Sequence, residues 1–124
     1  MKITRQAWWY RGDIITRYIP NSCSLADWII ERPLDDAAWA KVGQAIKQMH
    51  DAQVLHADLN AHNILIDDQQ KIYLIDFDKA DRIKVTTNVK SNLDRLHRSL
   101  LKIQSQHSKF HFSDHSWQCL INAY

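Results

Sequence analysis

The sequence predicts an α+β fold, mostly helical, with one small β-hairpin near its middle. Three observations predict it. Two short β-prone apolar runs, Asn63 to Ile66 and Ile72 to Ile75, flank Asp67-Asp68-Gln69-Gln70, which is how a hairpin reads in sequence. Apolar residues recur at helical spacing before it (Ala38, Val42, Ala45, Met49) and after it (Leu93, Leu96, Leu100, Ile103). The chain has 124 residues, 45% hydrophobic and 24% charged, which suits one soluble domain with a core.

Taken in order, residues 1–19 read as two strands. Gln6 to Tyr10 is aromatic and strand-prone, Arg11-Gly12-Asp13 is a turn signal, and Ile14 to Ile19 is the second strand. Such a pair is weak without neighbours and would leave Trp8 and Trp9 half exposed. Asn21-Ser22-Cys23 reads as a linker. Ser24-Leu25-Ala26-Asp27 has capping-box spacing, so Ser24 should start a short helix to about Ile30, broken by Arg32-Pro33. A longer helix follows from about Asp35 to Ala52, with Trp39 and Ile46 widening its apolar stripe and Lys41, Gln44, Lys47, Gln48 and Asp51 on the wet side. Val54 and Leu55 form a short strand leading to the hairpin. Past it, Ser91-x-x-Asp94 has capping-box spacing again, and Leu93 to Ile103 forms a helical core stripe. Gln104 to Lys109 is a polar break, and Ser113 caps a last helix with Trp117, Leu120, Ile121 and Tyr124 inward.

Composition narrows the function classes. A net charge of +2 makes no case for nucleic acid. Cys23 and Cys119 are far apart, and seven histidines are scattered, so no metal-ligand spacing stands out and free thiols in a reducing cytoplasm fit best. There is no signal segment and no run of about 18 apolar residues.

The chemistry concentrates between the pillar helix and the end of the hairpin. His56, Asp58 and Asn63 match H-x-D-x-x-x-x-N, the loop pattern of phosphoryl transfer. Asp76-Phe77 closes the second apolar run, thirteen residues after Asn63. A hairpin joins its two ends, so Asn63 and Asp76 would lie side by side with Asp58 nearby. Phosphoryl transfer from ATP rests on positioning and electrostatics. Magnesium prefers hard oxygen ligands, here Asn63 and Asp76, and a separate carboxylate, Asp58, would orient the attacking hydroxyl. His56 would brace the loop by hydrogen bonding, Phe77 would pack beneath it, and His62 reads as a plain loop residue. The blander alternative is an exposed hairpin whose Asp and Asn residues only form turns.

Beyond the spacing, His-Ala-Asp-Leu-Asn-Ala-His-Asn-Ile-Leu (56–65) and Leu-Ile-Asp-Phe-Asp-Lys-Ala (74–80) closely resemble the bacterial 3-deoxy-D-manno-octulosonic acid (Kdo) kinases of lipopolysaccharide core synthesis. The resemblance extends to Asp13–Pro20 and Asn92–Leu100. It implies a protein-kinase-like fold and transfer of the ATP γ-phosphate to a Kdo hydroxyl on a lipid A precursor. Residues 20–124 would then be the helical C-terminal lobe, and residues 1–19 the last two strands and hinge of the first lobe. At the hinge, Arg17 would offer its carbonyl and Ile19 its N–H to adenine. Gly12 and Gly43 are the only glycines, so the Gly-rich loop, lysine and helix glutamate of a first lobe have no counterpart. The sequence thus reads as the C-terminal part of a kinase. Asp78 stands where protein kinases carry glycine, and Asn60 where many carry lysine.

From Lys79 to Lys102 there are seven basic residues against Asp81 and Asp94. They form either a solvated face or a landing surface for the anionic groups of such a substrate. A lipid-linked substrate implies peripheral contact with the cytoplasmic face of the inner membrane, with which the basic stretch and Trp8-Trp9 are compatible. The rival functions are another small-molecule kinase, of the aminoglycoside or choline phosphotransferase type, and a non-catalytic kinase remnant.

Overall fold

The computed structural model describes residues 7–9, 21–52, 56, 58–75 and 85–124. The elements run β1 (Ala7–Trp9), β2 (Ser22–Ser24), α1 (Leu25–Glu31), α2 (Asp36–Asp51), β3 (Ile64–Asp67), β4 (Ile72–Leu74), α3 (Val85–Gln106) and α4 (Asp114–Ala123). The fold is α+β, as expected. The sheet order is β1-β4-β3-β2. β2, β3 and β4 are antiparallel neighbours, whereas β1 lies parallel to β4 with Ala7 opposite Ile72. The expected strand over 14–19, the strand at Val54-Leu55 and the burial expected of Trp8 and Trp9 lie outside the described residues.

The hairpin follows its sequence closely. Asp67 closes the turn: its Oδ1 accepts from the backbone N–H of Gln69 (2.9 Å) and Lys71 (2.8 Å), and its Oδ2 from the Tyr73 hydroxyl (3.0 Å). Gln70 takes a positive φ of 64°, the left-handed conformation that a tight turn needs and that glycine would adopt more cheaply. Asn21-Ser22-Cys23 is not only a linker. Ser22 to Ser24 pair with Asp67 to Leu65; the neighbouring strand, not local propensity, makes them β.

Ser24 caps α1 as expected, its Oγ accepting from Asp27 N–H at 3.0 Å, and Asp35 caps α2 through Ala38 N–H at 2.8 Å. Every residue of the α2 stripe is buried: Ala38, Trp39, Val42, Ala45, Ile46 and Met49. Each large apolar side chain among them stabilises the fold by about 1.5–3 kcal/mol. The core continues through Ile64, Ile66, Ile72 and Leu74 of the hairpin and Leu96, Leu100 and Ile103 of α3. Helix α3 starts earlier than the Ser91-x-x-Asp94 spacing suggests: it is already helical at Val85. Asp94 accepts from Lys90 at 3.2 Å one turn back, an interior i,i+4 pair instead of a cap. At α4 the cap is as expected, with Ser113 and Ser116 satisfying each other's backbone N–H. Leu120 is buried, and Trp117, Ile121 and Tyr124 pack half-buried against the core.

Candidate active site

The loop between α2 and β3 is built by short-range hydrogen bonds that its own sequence supplies. Asn60 folds it locally: its Oδ1 accepts from the N–H of His62 (2.8 Å) and Asn63 (3.2 Å), and its Nδ2 donates to the Asp58 carbonyl (3.2 Å). The loop is then tied outward, Ala26 N–H donating to the Ala61 carbonyl (3.1 Å) and Ala61 N–H to the Ser99 hydroxyl (3.0 Å). Leu59 and Ala61 are fully buried beneath it.

His56 braces this loop. It is 1% exposed. Its Nδ1 accepts from the Asp58 N–H at 3.1 Å, and its Nε2 meets the Ile75 carbonyl at 2.7 Å. One nitrogen must accept and the other donate, which fixes the neutral Nε2–H tautomer. A single imidazole thereby joins the residue before Asp76 to the backbone of Asp58.

Asn63 joins the same two segments. Its Nδ2 donates to the Asp58 carbonyl at 2.8 Å, and its own carbonyl accepts from Ile75 N–H at 3.0 Å. The amide nitrogen is thus committed inward, and the side-chain oxygen is the end suited to a hard cation. The Asp58 carboxylate stands clear of these bonds and is 56% exposed. Arg95 lies 3.9 Å from it, too long and too wet a pair to add much stability. Asp58 and Asn63 are therefore brought together. Asp76 and Phe77, like Arg17 and Ile19, lie outside the described residues.

A second support comes from a residue whose role the spacing does not single out. Asn92, 6% exposed on α3, grips both backbone groups of His56: its Oδ1 accepts from His56 N–H (3.0 Å) and its Nδ2 donates to the His56 carbonyl (2.8 Å). The same Oδ1 meets His50 Nε2 at 3.1 Å, and His50 Nδ1 meets the Tyr124 hydroxyl at 2.6 Å. Because Asn92 Oδ1 can only accept, His50 donates from Nε2 and accepts from Tyr124. Burial pushes the His50 pKa down from its ordinary value, against the smaller upward pull of its bond to Asn92. Burial likewise raises that of Tyr124, with Asp51 adding to the shift.

Beside Asp58 opens a cleft of about 500 Å3, with Asp58, Asn60 and His62 on one wall and Arg95, Arg98 and Lys102 of α3 on the other. The three cations fall at i, i+3 and i+7, one helix face. His62, which reads as a plain loop residue, sits exposed on the rim of this cleft. The arrangement sets an exposed carboxylate across the cleft from three cations.

The sequence model of the lipopolysaccharide kinase (Kdo/WaaP) family matches residues 1–124. The chain belongs to that family. It is similar to the 3-deoxy-D-manno-octulosonic acid kinase of Photobacterium profundum, 41% identical over 123 residues, covering 99% of this chain and 52% of that protein. The protein of the same name from Pasteurella multocida is 42% identical over 118 residues, 93% of this chain and 49% of its own length. That from Vibrio cholerae is 46% identical over 94 residues, 75% and 40% respectively. The chain spans about half the length of the curated relatives it matches. In this chain, residues 56–63 carry the H-x-D-x-x-x-x-N spacing.

Proposed function

We propose that this chain supplies the catalytic loop and acceptor cleft of an ATP-dependent kinase that phosphorylates a Kdo sugar on a lipid A precursor. The observation that carries the proposal is the clamp of Asn63 Nδ2 on the Asp58 carbonyl at 2.8 Å. It fixes the two motif residues together while leaving the carboxylate at the mouth of the basic cleft.

Asp58 would accept a hydrogen bond from the sugar hydroxyl and hold it in line with the γ-phosphate. Asn63, through its side-chain oxygen, and Asp76 would hold a magnesium ion, which neutralises charge between the phosphates. His56 keeps Asp58 and the end of the hairpin in register. Arg17 and Ile19 would present backbone groups to adenine. Arg98 and Lys102 would receive the anionic groups of the acceptor, since Kdo carries a carboxylate and lipid A carries phosphates.

The membrane part of the proposal is peripheral contact at the cytoplasmic face. None of the described helices is long and apolar enough to cross a membrane. The basic stretch from Lys79 to Lys102 favours attraction to anionic lipid.

The test uses the full-length protein with labelled ATP and a Kdo-bearing lipid A precursor, beside a panel of aminoglycosides and choline. Label on the Kdo lipid alone is the expected result. Asp58→Asn should lower turnover by about 10²–10⁴-fold, the usual weight of a positioned base, with ATP binding nearly unchanged. Full activity in that variant would remove Asp58 from its role, and label on choline or an aminoglycoside would move the protein to the rival class.

A further inference from the structure

At the end of α2 away from the catalytic loop, three side chains with different donor atoms converge. Asp36 is the first residue of α2, and His115 and Cys119 lie one turn apart on α4. The Asp36 Oδ2 is 2.9 Å from His115 Nε2, and the Cys119 Sγ is 3.6 Å from that same nitrogen. All three donor atoms lie within 4.8 Å of one another.

The detail that decides between two chemistries is the shared nitrogen. A Cys-His-Asp nucleophile system needs the acid on one imidazole nitrogen and the thiol on the other, so that a proton can be relayed. Here both partners face Nε2, which carries at most one proton and can serve only one of them fully. A cation at the centre would satisfy carboxylate, imidazole and thiolate together. Tetrahedral zinc, with bonds of about 2.0–2.3 Å, sets its ligand atoms roughly 3.3–3.8 Å apart. Separations of 2.9 and 3.6 Å fall close to that range, so small side-chain adjustments suffice.

The backbone is already set for such a site. α2 is capped by Asp35 and α4 by Ser113. His115 and Cys119, at i and i+4, project from one helix face. The side chains of Asp36 and His115 are 67% and 70% exposed, which leaves a fourth position open to water. One oxygen, one imidazole nitrogen and one sulfur suit zinc and exclude magnesium and calcium, which take oxygen alone.

We propose that Asp36, His115 and Cys119 form a zinc-binding site that pins the start of α4 to the start of α2. The site stands apart from the phosphotransfer loop and does not depend on the kinase proposal. It ties together positions 79 residues apart in the chain.

The test takes the intact protein, stripped with chelator, kept reduced and held in excess magnesium. Cobalt(II) as a spectroscopic substitute should give a near-ultraviolet thiolate-to-metal band that Cys119→Ser abolishes and Cys23→Ser retains. Calorimetry should show one zinc per chain. Asp36→Asn, His115→Gln and Cys119→Ser should each weaken zinc binding by about tenfold or more, since even changes outside the ligand set act on that scale. At one fixed zinc concentration, zinc should raise the melting temperature of the parent and of Cys23→Ser by more than that of the three ligand variants. The proposal fails if the band is absent, if it follows Cys23, or if the ligand variants bind zinc as the parent does.

Discussion

Asn92 shows how one buried amide can govern a loop 36 residues away. It meets the N–H and carbonyl of His56 and the ring of His50. Asn92→Ala would strand all three, each unpaired group costing about 1–3 kcal/mol. With partial relief from water, a loss of roughly 2–4 kcal/mol in urea unfolding is expected, together with a drop in turnover because His56 no longer holds Asp58. His50 gives the same network a pH dependence. Its folded pKa is depressed from 6.5, so above that value both folded and unfolded states are neutral and the network contributes fully. As pH falls below about 6.5 the unfolded chain takes the proton first, and stability is lost until the folded pKa is passed. The urea midpoint should therefore be lower at about pH 5 than at about pH 7.5, and His50→Gln should flatten the part of that slope which His50 causes. An unchanged slope in the variant would assign the effect to other histidines. The closeness of His56, Asp58 and Asn63 could be read from spacing because all three lie in one local loop. Asn92 could not, because its partners are distant and an Asn on a basic amphipathic helix looks like a solvated residue.

At the scale of elements, the close approach of α2 and α4 rests on Gly43. A Cβ added there would collide with the Leu120 carbonyl oxygen and lie 3.0 Å from its carbon, backbone atoms that cannot swing aside. Alanine gains up to about 1 kcal/mol of helix propensity over glycine, but overpacking costs typically about 1–3 kcal/mol. Gly43→Ala should be net destabilising in thermal melts; a stabilised variant would show that α4 shifts freely. Helices α1 and α4 were legible from their caps, Ser24 and Ser113, and α2 from its apolar stripe, because these are local signals. Two elements were less so. Ser22 to Ser24 becomes a strand only by pairing with β3. Helix α3 runs through Ser91-x-x-Asp94, whose letters match a cap that the preceding helical turns leave no place for.

For the whole molecule, the cleft faces α3, so the same basic surface would meet both sugar and membrane. Replacing Arg98 and Lys102 with Gln in the full-length protein should raise KM for the Kdo lipid by roughly tenfold, equivalent to about 1.4 kcal/mol, with KM for ATP unchanged. Both side chains are exposed, so stability should hold. Equal loss of affinity for ATP would place these cations at the nucleotide instead. The sheet carries a consequence for how the molecule assembles. Residue 7 pairs with residue 72, so β1 is synthesised early and finds its neighbour late, after the intervening chain has collapsed. Until then the outer rim of β4 is an open template for another polypeptide. Self-association is thus the hazard that pairing of β1 with β4 guards against.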